Sequence, residues 1–332
     1  MRNQARALLR THEGKLLIVV LLLGAFLSVA TGSFFTLQNL VDLLTSYSFS
    51  GMLAAGLLVV LISGGIDISF TATASIAQYV AMSVANAYSV GWITVIAICA
   101  AIGIVCGMLN AVLIGVLRLS SIIVTIATLN VFFGLLMFIT HGNEIFSLPD
   151  WFGSGANWVV YTDSDQTPYA INLEMIGLVG AFLVTGLLLT RTNIGRQIYA
   201  LGSNVDAAKR VGIKVFRLNL LVYGYLGFIA GMAALVQAQN AQSVSPNALV
   251  GRELDVLAAV VLGGASLTGG VGTVFGTILG VMLLAFLQNG LLLLGVPSYW
   301  SQCFTGAVIL IAVSLLAVER QRHRAAARRV MA

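Results

Sequence analysis

The chain has 332 residues, 59% of them hydrophobic and only 9% charged, where an ordinary soluble domain carries roughly 25% charged residues. So few polar side chains cannot coat a water-soluble particle of this size, which excludes a soluble enzyme, a nucleic-acid binder and a disordered chain. The formal net charge of +5 says little by itself, because the basic residues are segregated along the chain.

A transmembrane helix needs about 20 mostly apolar residues. Runs of that kind lie at 16–35, 50–66, 68–88, 91–117, 121–141, 171–190, 216–240, 249–268, 271–294 and 298–318. The expectation is one all-α, polytopic membrane domain over 1–332 with about ten spans. The first span follows a basic tail, 1–15, with Arg2, Arg6, Arg10 and Lys15. Its apolar run and Ser28-Val29-Ala30 also have the form of a cleavable signal peptide, and the reading here is a retained signal anchor. Residues 37–46, with Asp42, form a short interrupted element before the second span. That span ends in Ser63-Gly64-Gly65-Ile66-Asp67-Ile68-Ser69, where Asp67 is read as a cap for the third span ahead of a transport role.

Charge placement orients the spans. The N-terminal tail, the 191–217 loop (Arg191, Arg196, Lys209, Arg210, Lys214, Arg217) and the 319–332 tail (Arg320, Arg322, Arg324, Arg328, Arg329) are basic, so all three are expected on the cytoplasmic side. The 142–174 stretch holds Glu144, Asp150, Asp163, Asp165 and Glu174 without Lys or Arg. Its 142–170 part is expected to be a periplasmic loop. Five spans before that loop, one after it and four to the tail satisfy the required parity. The 244–268 region is irregular: its core from Asp255 to Leu267 is too short for a complete crossing, and Pro246 precedes it. A broken crossing is expected, with backbone at depth tolerated only against protein or a wet path. Leu53-Ala54-Ala55 running to Gly64-Gly65 is echoed by Leu257-Ala258-Ala259 running to Gly263-Gly264.

Within 191–217, Asn204 suits an N-cap, Asp206 a first turn, Lys209 and Arg210 a last turn, and Gly212 a left-handed C-terminal residue. A two-turn helix over 205–211 outside the membrane follows. It is marginal alone and makes sense as a knob held by a docking partner. Residues 253–280 are glycine-dense, with Gly272, Gly276 and Gly280 at the spacing that lets helices approach closely. The chain has no Gly-x-x-x-x-Gly-Lys-Ser/Thr loop, so nucleotide is expected on another polypeptide. Cys99, Cys106 and Cys303 lie in apolar runs, and His12, His141 and His323 in loops or tails. Neither set suggests a disulfide framework or a metal site.

Four segments resemble the ribose-type permease subunits of bacterial sugar ATP-binding-cassette importers: SGGIDIS at 63–69, TNIGRQIYALGSNVDAAKRVGI at 192–213, ELDVLAAVVLGGASLTGGVGTVFGTILG at 253–280 and QNGLLLLGV at 288–296. The similarity runs from about Phe35 to Val318. It implies an inner-membrane subunit with both termini cytoplasmic and no ATPase site or cofactor of its own. The implied partners are a second permease subunit, like or unlike, two ATP-binding subunits or one fused chain carrying ATP and Mg, a periplasmic solute-binding protein and the lipid bilayer, with no nucleic acid. It also implies that Gly195, Arg196, Gly202, Asn204, Ala207, Ala208, Arg210 and Gly212 form the coupling segment that meets the ATPase. The chain departs from the family at Phe70-Thr71, Ser120-Ser121 and Phe133-Gly134.

The expected function is movement of a monosaccharide, polyol or similar solute by alternating access. Asp67, Asn110, Thr125, Asn130 and Asn289, with Thr128, are the polar side chains available for a wet path, and each also suits an interhelical hydrogen bond. The alternative is a cation-coupled secondary transporter. That requires an acidic group deep in a span, and Asp42, Asp67, Glu253 and Asp255 all map toward span ends.

Overall fold

The computed structural model describes residues 11–88, 90–153, 157–162, 168–297, 299, 300, 302–308, 310 and 314. The basic residues expected at 2–10 and 320–329, Asp163, Asp165 and part of the tenth expected span lie outside them.

The chain is a bundle of helices. These are α1 (His12–Thr31), α2 (Leu37–Ser46), α3 (Ser48–Ile62), α4 (Phe70–Tyr88), α5 (Trp92–Leu117), α6 (Ser121–Thr140) and the single turn α7 (Asp150–Gly153). A two-stranded antiparallel ribbon follows, β1 (Asn157–Thr162) with β2 (Pro168–Asn172). The remaining helices are α8 (Leu173–Arg191), α9 (Asn193–Ser203), α10 (Val205–Arg210), α11 (Val215–Ala241), α12 (Arg252–Leu262) and α13 (Val274–Leu293). The ribbon is an addition to the all-α expectation. Its sequences, NWVVYT and PYAIN, are rich in the aromatic and β-branched residues that favour extended backbone.

Among the described residues six helices, α1, α5, α6, α8, α11 and α13, are long and apolar enough to cross a membrane, and the bent pair α2–α3, taken as one span, makes a seventh. The other three expected spans are not among these seven. Helix α4 has 19 residues but is studded with Thr71, Thr73, Ser75 and Gln78. Helix α12 has only 11 residues, and 298–318 is only partly described.

Caps explain where the helices begin. Thr11, Thr36, Asn172, Thr192 and Thr273 each accept a backbone N–H of the following first turn through the side chain. The core is built around α3, which is buried along almost its whole length, and around the seam between α5 and α11. There Gly103 and Gly107 lie backbone to backbone with Tyr223, Gly227 and Gly231, so that a Cβ at Gly227 would collide with the Gly103 carbonyl. Small residues let two helices approach this closely in lipid, where packing rather than the hydrophobic effect drives association.

Helices α3 and α12 carry the echo noted in the sequence, and they end identically. Gly65 N donates to Val60 O and Gly64 N to Leu61 O; Ala265 N donates to Val260 O and Gly264 N to Val261 O. Gly64 and Gly264 sit at φ +89° and +95°, as this two-bond C-terminal motif requires. Each helix is also preceded by a break: a 50° bend between α2 and α3, and irregular backbone before α12 at 242–251.

Candidate functional site

Two regions carry the polar and exposed groups that the bundle does not need for packing. The first is the segment α9–α10. Thr192 accepts Gly195 N at 3.0 Å and donates to Leu188 O at 2.6 Å, and its extended backbone separates α9 from α8. A Cβ at Gly195 would collide with the carbonyls of Leu188 and Leu189. Ile198 and Leu201 are buried, and Tyr199 donates to Gly272 O at 2.7 Å. Burial raises the Tyr199 hydroxyl above its ordinary pKa, so it stays a donor. Arg196 is exposed and pairs with the Asn193 side chain.

Helix α10 is a projecting knob. Asn204 Oδ1 accepts Ala207 N at 2.9 Å. At the other end Ile213 N donates to Ala208 O and Gly212 N to Lys209 O, the same two-bond stop used by α3 and α12. Ala208 alone turns inward, at 2% exposure, while Val205, Asp206, Ala207, Lys209 and Arg210 are exposed. Val211, just past the end, is 77% exposed. The Asp206–Lys209 pair at 3.7 Å is solvent-exposed and contributes little stability. Both ends of a six-residue helix are thus fixed by caps, and Val205, Ala207, Arg210 and Val211 form an exposed apolar and basic surface.

The second region is polar and buried. Asp67 is 2% exposed. Its Oδ1 accepts both Ser69 N and Ser69 Oγ at 2.7 Å, and Asn110 Nδ2 donates to its Oδ2 at 3.2 Å and to Ser69 Oγ at 2.7 Å. Thr125 donates to Ile66 O at 3.3 Å, and Ile66 N donates to Ser121 Oγ at 2.9 Å. Asp67, Asn110 and Thr125 therefore lie together where the chain enters α4, and the carboxylate fixes that entry. Among the described residues Asn110 Oδ1 accepts no hydrogen bond. Thr128 donates to Thr125 O one turn on. The other two path candidates lie elsewhere. Asn130 is exposed and bonds its own helix at Ile126 O. Asn289 forms a reciprocal amide pair with Asn39, at 3.0 and 3.1 Å, between α13 and α2.

Around the start of α12, sequence reasoning weighs Glu253 and Asp255 only for a cation-coupled carrier and does not show what they pack against. Eleven helical residues rise about 16 Å, roughly half of a hydrocarbon core of about 30 Å. The last turn of α12 lies against the first turn of α13, Gly263 on Gly276 and Thr277, so the first turn of α12 lies about 16 Å from that contact, inside the bundle. Glu253, 9% exposed, is there. It accepts Thr71 Oγ1 and Gly251 N, both at 3.1 Å. Arg252 is exposed, reaches Gln237 Oε1 at 3.5 Å and lies 5.9 Å from the Phe49 ring centroid. Asp255 is half-buried, and Tyr47 donates to Gln288 Oε1 at 3.0 Å nearby. An ionisable residue inside a transmembrane bundle is costly and marks function by default. The usable sequence signal was the length deficit of this crossing; the contact of Glu253 with Thr71 has no sequence signal.

The profile of the family described as "Branched-chain amino acid transport system / permease component" matches residues 39–313. The chain belongs to this permease family. It is 35% identical over 308 residues to the "Ribose import permease protein RbsC" of Escherichia coli (strain K12), covering 91% of this chain and 92% of that protein. It is 32% identical over 320 residues to the "L-arabinose ABC transporter permease protein AraH" of Azospirillum brasilense, covering 95% and 90%. It is 31% identical over 303 residues to the "Autoinducer 2 import system permease protein LsrC" of Yersinia pseudotuberculosis, covering 90% and 83%. No solved structure matches the chain. Both regions described above fall inside the span shared with this permease family.

Proposed function

We propose that the chain is the membrane-spanning subunit of an ATP-binding-cassette importer for a monosaccharide or similar polyhydroxylated solute, working by alternating access in a bacterial inner membrane. The observation that carries this reading is the match over 39–313 to a family whose full-length relatives here are import permeases for ribose, arabinose and autoinducer 2.

In this reading two permease subunits pair, separate ATP-binding subunits bind ATP and Mg, and a solute-binding protein delivers solute from outside. The basic 191–217 loop lies in the cytoplasm with both termini, by the positive-inside rule, and 142–170 lies outside. The exposed knob α10, with Asn204, Ala207, Ala208, Arg210 and Gly212, docks on the ATPase; Gly195, Arg196 and Gly202 set its position. The solute path runs past the start of α12, where Arg252 is exposed and Asp255 half-buried, and past Asp67, Asn110 and Thr125.

Uptake into vesicles holding the complete complex tests this. Arg210→Glu, or deletion of 204–211, is expected to abolish uptake and transport-stimulated ATP hydrolysis together. Survival of both would remove the coupling assignment. The buried Glu253 and Asp67 are what a cation-coupled carrier would use, and the two readings are separated by the energy source.

A further inference from the structure

Three stretches of backbone meet at one point beneath α3 and α12. Gly270 N donates to Ile62 O at 2.8 Å. A Cβ at Gly202 would collide with that same carbonyl and lie 2.5 Å from Gly270 N. A Cβ at Gly269 would lie 2.7 Å from Gly64 Cα and 2.8 Å from Gly202 O, and one at Gly270 3.0 Å from Ser203 Cα. The end of α9, the end of α3 and the turn after α12 thus touch main chain to main chain, with glycine in each. One residue type can occupy such a point, because any side chain would hold the three stretches apart.

The neighbouring contacts make this point rigid. Tyr199 ties α9 to Gly272 at 2.7 Å. Ser266 N closes the turn on Val271 O at 2.9 Å, and Ser266 Oγ pairs with Thr268 Oγ1 at 2.9 Å. The helices on either side end in the same two-bond motif. Helix α9 ends at this point, and one residue separates it from the knob α10: Asn204 is its C-cap and the N-cap of α10.

We infer that the Gly202–Ile62–Gly270 contact is the joint through which a displacement of the knob reaches both discontinuous helices, α3 and α12, at once. The inference rests on the importer reading and deepens it. In that reading α10 is the driven end, and the joint at the last turn of α9 is its load. The load is the pair of helices α3 and α12, each preceded by a break. Packed backbone has few intermediate arrangements, so a small movement of α9 shifts α3 and α12 as one unit. Gly202, Gly269 and Gly270 are positioning residues in this scheme; none touches solute.

The test uses the complete complex in proteoliposomes, with the ATP-binding subunits and the loaded binding protein. Gly270→Ala places a methyl against Ser203 at a φ of +76°. The expected result is that the ATP-binding subunits still co-purify and hydrolyse ATP at their unstimulated rate, since α10 is intact. Uptake and binding-protein-stimulated hydrolysis fall by about tenfold or more, the size of a typical coupling between sites. Gly32→Ala carries the same backbone strain at φ +66° with nothing within 4 Å and is expected to couple normally. Normal coupling in Gly270→Ala overturns the joint alone, whereas absence of ATP-driven uptake in the unaltered complex overturns the importer reading and the joint with it. Should Gly270→Ala fail to accumulate, hydrogen exchange in the unaltered complex decides. Trapping the ATPase with vanadate is expected to change exchange in 62–65, 199–203 and 266–272 together. A change confined to α10 would contradict the joint.

Discussion

Glu253 and Thr71, 182 residues apart in sequence, share a hydrogen bond of 3.1 Å at the start of two helices that begin inside the bundle. The same carboxylate accepts the Gly251 amide. One buried side chain therefore holds the break before α12 against the first turn of α4. Replacing Glu253 by Ala leaves a hydroxyl and an amide without their acceptor, and such orphans cost about 1–3 kcal/mol each. Glu253→Ala is expected to lower the unfolding midpoint in detergent and to remove uptake. Glu253→Gln, which retains an acceptor, is expected to be markedly less destabilising.

The knob depends on its caps. Asn204→Ala removes the side-chain acceptor for Ala207 N, a loss of about 1 kcal/mol. For a six-residue helix that is enough to fray it. Co-purification of the ATP-binding subunits should weaken and uptake should fall, while the unfolding midpoint of the permease alone stays within a degree or so. Asn204→Asp or Asn204→Ser is expected to preserve both.

The α5–α11 seam makes a contrasting prediction. Gly227→Leu drives a side chain into the Gly103 backbone and is expected to prevent accumulation of folded protein. Gly134→Leu, where a Cβ meets nothing within 4 Å, is expected to be neutral. The yield of monodisperse protein after detergent extraction distinguishes the two.

Asn39 and Asn289 satisfy each other across α2 and α13. Either single change to Leu strands one amide at a cost of about 1–3 kcal/mol. The double change removes both, and its cost is expected to be well below the sum of the singles in a double-mutant cycle. Additive losses would mean that the pair is not a unit.

Much of the bundle is legible in the sequence because a bilayer imposes length and apolarity on each crossing. The run 121–141 appears as α6 at Ser121–Thr140, 91–117 as α5 at Trp92–Leu117 and 216–240 as α11 at Val215–Ala241. Caps are local chemistry, so the small helix ending at Gly212 could be read from Asn204, Asp206, Lys209 and Arg210. Burial is not local. That Glu253 is buried against Thr71 of α4 is not visible from its neighbours in sequence. Partners in sequence do not disclose partners in space either. Asn289 pairs with a residue 250 positions away, and Asn130, which looks similar in sequence, turns outward and bonds only its own helix.

The energy source is the most direct test of the account. Proteoliposomes carrying the permease, its ATP-binding subunits and binding protein are loaded with ATP, and uptake of labelled solute is followed with and without an ionophore. The account predicts uptake that requires ATP on the α10 side and continues after the ion gradient is collapsed. Uptake that is abolished by the ionophore and indifferent to ATP would contradict it.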